Sequence, residues 1–564
     1  GTHGGPHVND SLIDTPTNYE ADSGNNGGNY ATLNPLDSSS NITLSNGNLE
    51  ETTSTSGHRM ASGTIAVNSG KWYVEITITS LGGTYTHIGI SPVNTSNTTF
   101  VGNNGYGYFH NGGKQGLGTS SSYGNSYAVD DCIGIAFDAD NGNLYFYKNG
   151  VAQNSGTAAF TGIDTSKFWR FSVSHFNGGG AIVNFGQRPF KYTNAGTNRP
   201  AATYLSLCTQ NLDNPTIADG STAMDVALWT GNGTSKTITG VGHSPDFLWI
   251  KGRSDATSHY LTDTVRGITK YLISSQNSQE GTNSNRVTAL TSDGFTVGTH
   301  TSFNNNNSTY VGWTWDAGTS TVSNTDGSIT SSVRANASAG FSIVSYTGNG
   351  TSPSTIGHGL NAVPGMILLK NRSSIHNWAV YHTGLIDGST VRYLRLNTTD
   401  AKVTGSGHWR NTVPTSSVFR VGNDGQVNTN GDTYIAYCFS PVEGYSAFGT
   451  YEGNSNADGP FVYTGMRPRW ILLKNIDSGQ IGYDWVLYDT ERDTYNAGYQ
   501  FLCPNAETKE LRREGDSSDK TTRYIDILSN GFKLRNSNAN YNANGETFIY
   551  AAFAEHPFKT ARAR

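Results

Sequence analysis

The sequence predicts an all-β protein: an antiparallel β-sandwich followed by three tandem small β domains. Three observations predict it. The 564 residues include 68 Gly, 30 Tyr, 23 Phe and 10 Trp with only 14% charged residues, so aromatic area can offset the entropy of ordering a chain rich in Asn, Ser and Thr. Between residues 131 and 148, Ile133, Ile135 and Phe137 alternate with small residues, Asn141-Gly142 intervenes, and Leu144 and Phe146 alternate with Tyr145 and Tyr147. That is a hairpin pattern, because Asn-Gly accepts the positive φ of a type I′ turn and period two puts one apolar set on a core face. Asn149-Gly150 marks a second turn. The third observation is that the chain repeats itself after residue 220.

Length and charge set the outer bounds. At a prior of about 150 residues per domain, the chain holds about three or four domains. A net charge of −6, from 43 acidic and 37 basic residues with no long basic run, argues against nucleic acid as a partner, since phosphate binding draws on clustered Lys and Arg. No apolar run approaches the roughly 20 residues of a membrane-spanning helix, so no membrane insertion is expected. The start, Gly1-Thr2-His3-Gly4-Gly5, carries neither Met nor a signal pattern, which suits a processed chain or part of a longer one. Cys132, Cys208, Cys438 and Cys503 are isolated, with no Cys-x-x-Cys pair, and are expected as buried thiols acting as small hydrophobes.

In chain order, residues 1–64, rich in Gly, Asn, Ser and Thr, read as an extended arm with turns at Asp14–Tyr19 and Asn34–Leu36. Residues 65–195 form the sandwich, and 196–220 a linker containing Pro200, Pro215 and Asp219-Gly220. Repeats follow at 221–318, 319–443 and 444–564. Each carries an aromatic residue and a Gly-Asn turn (Trp229, Tyr346 and Tyr451 lead these), then a strand ending in Lys251, Lys370 or Lys474. Fifteen residues separate Phe295 from Tyr310 and Phe419 from Tyr434, and sixteen separate Phe532 from Phe548. Units of roughly a hundred residues are tandem domains rather than solenoid repeats. They are expected to share one fold, with the three lysines at equivalent strand ends.

The sandwich also resembles a known family. Ser69-Gly70-Lys71-Trp72-Tyr73-Val74-Glu75, His87-Ile88-Gly89-Ile90, the hairpin at 131–150 and Val183-Asn184-Phe185-Gly186-Gln187-Arg188-Pro189-Phe190 stand in the order of SPRY (B30.2-like) domains. The resemblance implies a two-sheet sandwich whose end loops bind partners, hence recognition rather than catalysis. The arm with Ser45-Asn46-Gly47-Asn48-Leu49, and the segment Leu207–Leu212 leading to Pro215–Gly220, resemble virion proteins of phages, particularly marine phages. That implies a tail-fibre-like appendage on the virion surface. It would recognise a bacterial cell-surface glycan or protein by multivalent binding. Its other partners would be other virion proteins and copies of itself, as a trimer.

The residues expected to bind lie in an insertion at 102–127, read as a long Gly-rich, aromatic-rich loop. Tyr106, Tyr108, His110, Lys114 and Tyr123 would contribute, because Tyr offers a flat apolar face with a hydroxyl and Lys114 would meet acidic groups of envelope polysaccharides. The alternative reading is that Tyr108 and Phe109 belong to a short strand or staple the loop down.

The search for chemistry is mostly negative. No nucleophile elbow, zinc helix or phosphate loop occurs, and no cofactor or metal is expected. Asp138-Ala139-Asp140-Asn141-Gly142 starts like a calcium loop, but Asn149 stands where a bidentate Glu is needed. His243 and His358, in matched turns of two repeats, read as structural. Asp484, Asp489, Glu491 and Asp493 leave a carboxylate pair open. Two further function classes therefore stand beside host recognition: a structural decoration or fibre-shaft protein, and a polysaccharide-degrading, tailspike-like enzyme.

Overall fold

A computed structural model describes residues 28–81, 85–192, 203–480, 482–510 and 524–561. The expected turn at Asp14–Tyr19 and the linker residues 196–202 lie outside them. The chain divides into two compact units at Asp213/Asn214, inside the segment read as a linker. Among the described residues no helix is long and apolar enough to cross a membrane.

The first unit is built from two antiparallel sheets. One runs Thr43–Ser45, Glu50–Thr53, Gly179–Asn184, Lys71–Ser80, Cys132–Asp138, Asn143–Lys148, Val151–Ala152; the other runs His58–Ser62, Trp169–Phe176, Tyr85–Pro92, Tyr106–Phe109, Gly113–Gly116, Thr119–Ser122. Ile133, Ile135, Phe137, Leu144 and Phe146 are all buried, as the alternation predicts. The Tyr108 ring from the second sheet lies 5.2 Å from Phe146 of the first.

Even the small residues of the hairpin strand are covered. Gly134 and Ala136 face Tyr73, and an added Cβ at Gly134 would collide with the Tyr73 hydroxyl. Tyr73, Ala136, Phe190 and Tyr204 form a second apolar layer on that side of the sheet.

Three expectations are corrected here. The arm is not separate before residue 65: the strands at 43–45, 50–53 and 58–62 belong to the two sheets. They are short and mostly polar, Thr-Leu-Ser, Glu-Glu-Thr-Thr and His-Arg-Met-Ala-Ser, which hides them from a hydrophobicity pattern. The linker reading fails for Tyr204–Cys208, which is buried apart from Leu205, whose N–H donates to the Lys71 carbonyl while its own carbonyl accepts from Tyr73. The turn is also relocated. The loop at 139–142 has four residues, closed by Asp138 accepting from the Asn141 amide, and only Gly142 has positive φ. The two-residue turn with positive φ at both positions is Asn149-Gly150, at φ 48° and 79°.

The second unit contains the three repeats, and their strand order matches. In each, one long strand lies between two others: Thr309–Trp315 between Met224–Thr230 and Phe247–Gly252; Thr433–Phe439 between Phe341–Thr347 and Met366–Asn371; Thr547–Pro557 between Ser446–Glu452 and Met466–Asn475. One cross-strand aromatic pair recurs. Trp229 stacks on Tyr310 at 5.4 Å, Tyr346 on Tyr434 at 5.0 Å and Tyr451 on Phe548 at 4.9 Å. A buried amide latches each Gly-Asn turn: the Oδ1 atoms of Asn304, Asn428 and Asn542 accept from the N–H groups of Asn232, Asn349 and Asn454 at 2.9, 2.9 and 2.7 Å.

The repeats are not beads on a string. They share one apolar core that includes Phe247, Trp315, Phe341, Phe439, Trp470 and Phe553, and they close a ring. The Glu280 N–H donates to the Arg372 carbonyl at 3.0 Å, Lys402 to Ile476 at 2.9 Å and Glu510 to Arg253 at 2.8 Å, so first joins second, second joins third, and third joins first.

Two of the three junctions carry a matched buried ion pair. Arg266 meets Asp263 at 2.5 Å, and the next repeat adds Tyr437 on Asp263 at 2.8 Å and Arg372 on Glu280 at 2.8 Å. Arg492 meets Asp489 at 2.5 Å, with Trp313 on Asp489 at 2.9 Å and Arg253 on Glu510 at 2.9 Å. At the remaining junction His382 and Leu385 stand in place of Asp and Arg. His382 Nε2 bonds to the Tyr550 carbonyl at 3.0 Å, and burial lowers this imidazole to about 4, keeping it neutral.

Lys251, Lys370 and Lys474 occupy equivalent strand ends and are fully buried. Each ammonium donates to the next residue's carbonyl, at 2.7, 2.8 and 2.7 Å. Desolvation lowers all three to about 8. Between that value and the ordinary lysine value near 10.5, the unfolded chain binds more protons than the folded one, so stability rises with pH. Buried Cys132 acts oppositely once unfolded thiols ionise, since burial pushes it up to about 12. Stability against urea is therefore expected to rise from pH 7.5 to about 9, and Lys370→Met should reduce that slope by about a third. An unchanged slope in the variant contradicts the assignment.

Candidate functional site

The insertion at 102–127 is not a loop. A short helical turn, Val101–Asn104, leads into three strands, Tyr106–Phe109, Gly113–Gly116 and Thr119–Ser122, which widen the second sheet of the first unit. This decides where the five predicted residues go.

Tyr108 is fully buried; its hydroxyl donates to the Asn125 carbonyl and lies 3.3 Å from Gln153 Oε1. Tyr123 is 9% exposed, its hydroxyl donates to the Thr157 carbonyl at 3.3 Å, and burial pushes it up to about 12. Tyr106 is half-buried against Phe160 at 5.0 Å and Trp169 at 5.4 Å. His110 lies 6.4 Å from Tyr127, its pKa lowered by burial. Lys114 donates to the Ala159 carbonyl and lies over the Phe160 ring at 5.1 Å. Tyr108 and Tyr123 are therefore core residues, corrected from the sugar-stacking role, and the Lys114 ammonium is turned to the same inner side. Tyr108→Ala is expected to cost about 3–5 kcal/mol of first-unit stability, as for other large buried aromatics, measured by urea unfolding. A cost below about 1 kcal/mol contradicts its placement in the core.

The opposite face of those strands holds the site. Sheet register pairs His87 with Phe109, Gly113 with Ser122, and Gln115 with Ser120, and side chains alternate across a strand, so these face away from Ile88 and Tyr108. They line a cavity of about 640 Å³ together with His58, Tyr85, Phe100 and Asn111. The aromatic floor is continuous: His87 lies 4.0 Å from Phe109 and 5.0 Å from Phe100, and His58 lies 4.6 Å from Phe100 and 4.7 Å from Phe176.

His87 is the residue that sequence reading passed over. It is 2% exposed, and among the described residues neither ring nitrogen has a hydrogen-bond partner. Burial, reinforced by neighbouring His58, His110 and His175, lowers it to about 3. A buried polar group without a partner is costly in a native protein and marks a functional or solvated position. The signal lay in His87-Ile88-Gly89-Ile90, whose alternation puts His87 opposite the two core isoleucines.

The other candidate residues are engaged elsewhere. Asp489 pairs with Arg492; Asp493 accepts from the N–H groups of Tyr499 and Gln500 at 2.7 and 2.6 Å; Asp484 accepts from Asn505 at 2.7 Å; Glu491 lies 3.3 Å from Arg469. His243 bonds to the Ser221 carbonyl at 2.8 Å and His358 to that of Thr415 at 3.1 Å. Asp138 holds Lys71 and Asn141. All four cysteines are buried.

Residues 219–557, most of the second unit, match the family described as Domain of unknown function (DUF7483). The chain belongs to the DUF7483 family. In this DUF7483 chain, residues 71–188 match the SPRY domain, the span that carries every lining residue of the cavity except His58. Among solved structures, it is similar to the SPRY domain of human HERC1 at 21% identity and a TM-score of 0.24, covering 27% of this chain and 96% of that one. It is similar to the stonustoxin structure at 15% identity and a TM-score of 0.23, covering 28% of this chain and 27% of that one. A human SPRY domain matches at 15% identity and a TM-score of 0.21, over 26% of this chain and 94% of that one. No curated protein matches the DUF7483 chain.

Proposed function

We propose that the chain is a recognition protein of a phage virion surface, part of a tail fibre or another host-contacting appendage, and that its first unit captures a component of the bacterial cell surface. The observation that carries the recognition part is the cavity above His87, where a buried imidazole without a partner meets an aromatic floor and a polar rim. Concave sites that set flat apolar surface beside placed polar groups are where small ligands bind. The virion setting rests on the flanking motifs at 45–49 and 207–220. The ring of repeats supplies a large rigid body suited to contacts with other virion proteins, and a homotrimer would multiply weak cell-surface contacts into firm attachment.

The test is adsorption blocking. Purified chain, added to host cells before particles, is expected to reduce attachment in proportion to its concentration and to remain bound without cutting surface polysaccharide. Particles that adsorb normally at saturating chain would overturn the reading. New reducing ends would move it to the polysaccharide-degrading class.

A further inference from the structure

The polar groups around the cavity share one chemical property. Asn111, Gln115, Ser120 and Ser122 each carry both a donor and an acceptor, and none is charged. His87 and His58 add no charge: burial holds both imidazoles below their ordinary value, so near neutral pH both are neutral. Lys114, the sole lysine among the lining residues, has its ammonium on the Ala159 carbonyl, and no Arg, Asp or Glu is among them. His58, Tyr85, Phe100 and Phe109 supply flat apolar surface. Every described feature thus favours a ligand with a flat apolar face, hydroxyls around its edge and no net charge.

We infer that this cavity binds an uncharged sugar ring of a surface glycan, stacked on Tyr85 and Phe100 above the buried floor of His87 and Phe109, with hydroxyls on Gln115 and on the Ser120–Ser122 strand. The inference rests on the recognition reading and sharpens it. It also reverses the expectation that Lys114 meets acidic polysaccharide, because none of the lining residues offers a free cation to a carboxylate or phosphate.

The test uses the full chain and Ser122→Trp. Ser122 is exposed on an edge strand opposite Gly113, so an indole there fills the cavity without entering the core. Neutral oligosaccharides from bacterial envelope polysaccharide and their uronate and phosphorylated counterparts are titrated by calorimetry and saturation-transfer NMR. The expected result is saturable binding of a neutral sugar, with an affinity loss of at least about tenfold in the variant. Affinity should change less than about twofold between low and high salt, since no ion pair is screened. Binding confined to the acidic sugars, or falling steeply with salt, overturns the inference. A cell-attachment arm separates the two levels. If wild type adheres, the variant does not, and no neutral sugar competes, recognition at the cavity stands and the ligand class is wrong. If both adhere equally, recognition at this cavity is itself overturned.

Discussion

Asp489→Ala is expected to destabilise the second unit by about 3–5 kcal/mol, the cost of leaving a buried charge without its partner. Arg492 is fully buried, and Asp489 receives both its Nε at 2.5 Å and the Trp313 indole from another repeat at 2.9 Å. One substitution therefore removes the nearest carboxylate from a buried guanidinium, leaving it Glu510 at 3.3 Å, and takes the indole's acceptor away across a junction. Asp263→Ala should behave alike, because Arg266 and Tyr437 occupy the matched positions. The exposed pair of Arg392 with Asp387, at 28% and 67% side-chain exposure, is the control, and Asp387→Ala should change stability by about 1 kcal/mol or less. Urea unfolding followed by tryptophan fluorescence measures all three. Equal small losses would mean that the junctions do not depend on their ion pairs.

Ending the chain at residue 443 is expected to abolish the cooperative unfolding transition of the first two repeats. Trp315 packs on Trp470 at 5.6 Å and on Phe553 at 5.7 Å, and Phe439 packs on Phe553 at 5.7 Å. Losing the third repeat exposes that shared core, and each large apolar side chain returned to water forfeits about 1.5–3 kcal/mol. It also opens the ring at two of its three backbone links. Calorimetry of the shortened chain should show a broad, weak transition or aggregation. A sharp transition at the original temperature would make the repeats independent domains.

That dependence marks where sequence reasoning stopped. Spacing showed that Phe295, Phe419 and Phe532 are equivalent, and the strand pairing agrees. It did not show closure, because the closing bonds are backbone N–H groups at 280, 402 and 510 whose side chains are Glu, Lys and Glu. Backbone partners leave no residue-type signature. The equivalence of Asp263 and Asp489 was also hidden, since the middle repeat carries His382 there.

In the first unit, the hairpin core was legible from Ile133 to Phe146 because one buried face writes a period-two pattern. The insertion was misread for a local reason. The turn between its last two strands is Leu117-Gly118, with Leu117 at φ 48° and 61% exposed, and leucine is not a residue that signals a left-handed turn. Without that turn the strands read as a loop, and the tyrosines seemed free. Once Tyr108 is known to face the core, alternation assigns Phe109, and through the sheet His87, to the opposite face.

The most direct measurement of the recognition claim is attachment of labelled full-length chain to host cells, wild type against Ser122→Trp, with folding of both verified by urea unfolding. The account predicts saturable attachment of the wild type and loss of at least about tenfold in affinity for an equally stable variant. Equal attachment of the two folded proteins would contradict it and place recognition elsewhere on the chain.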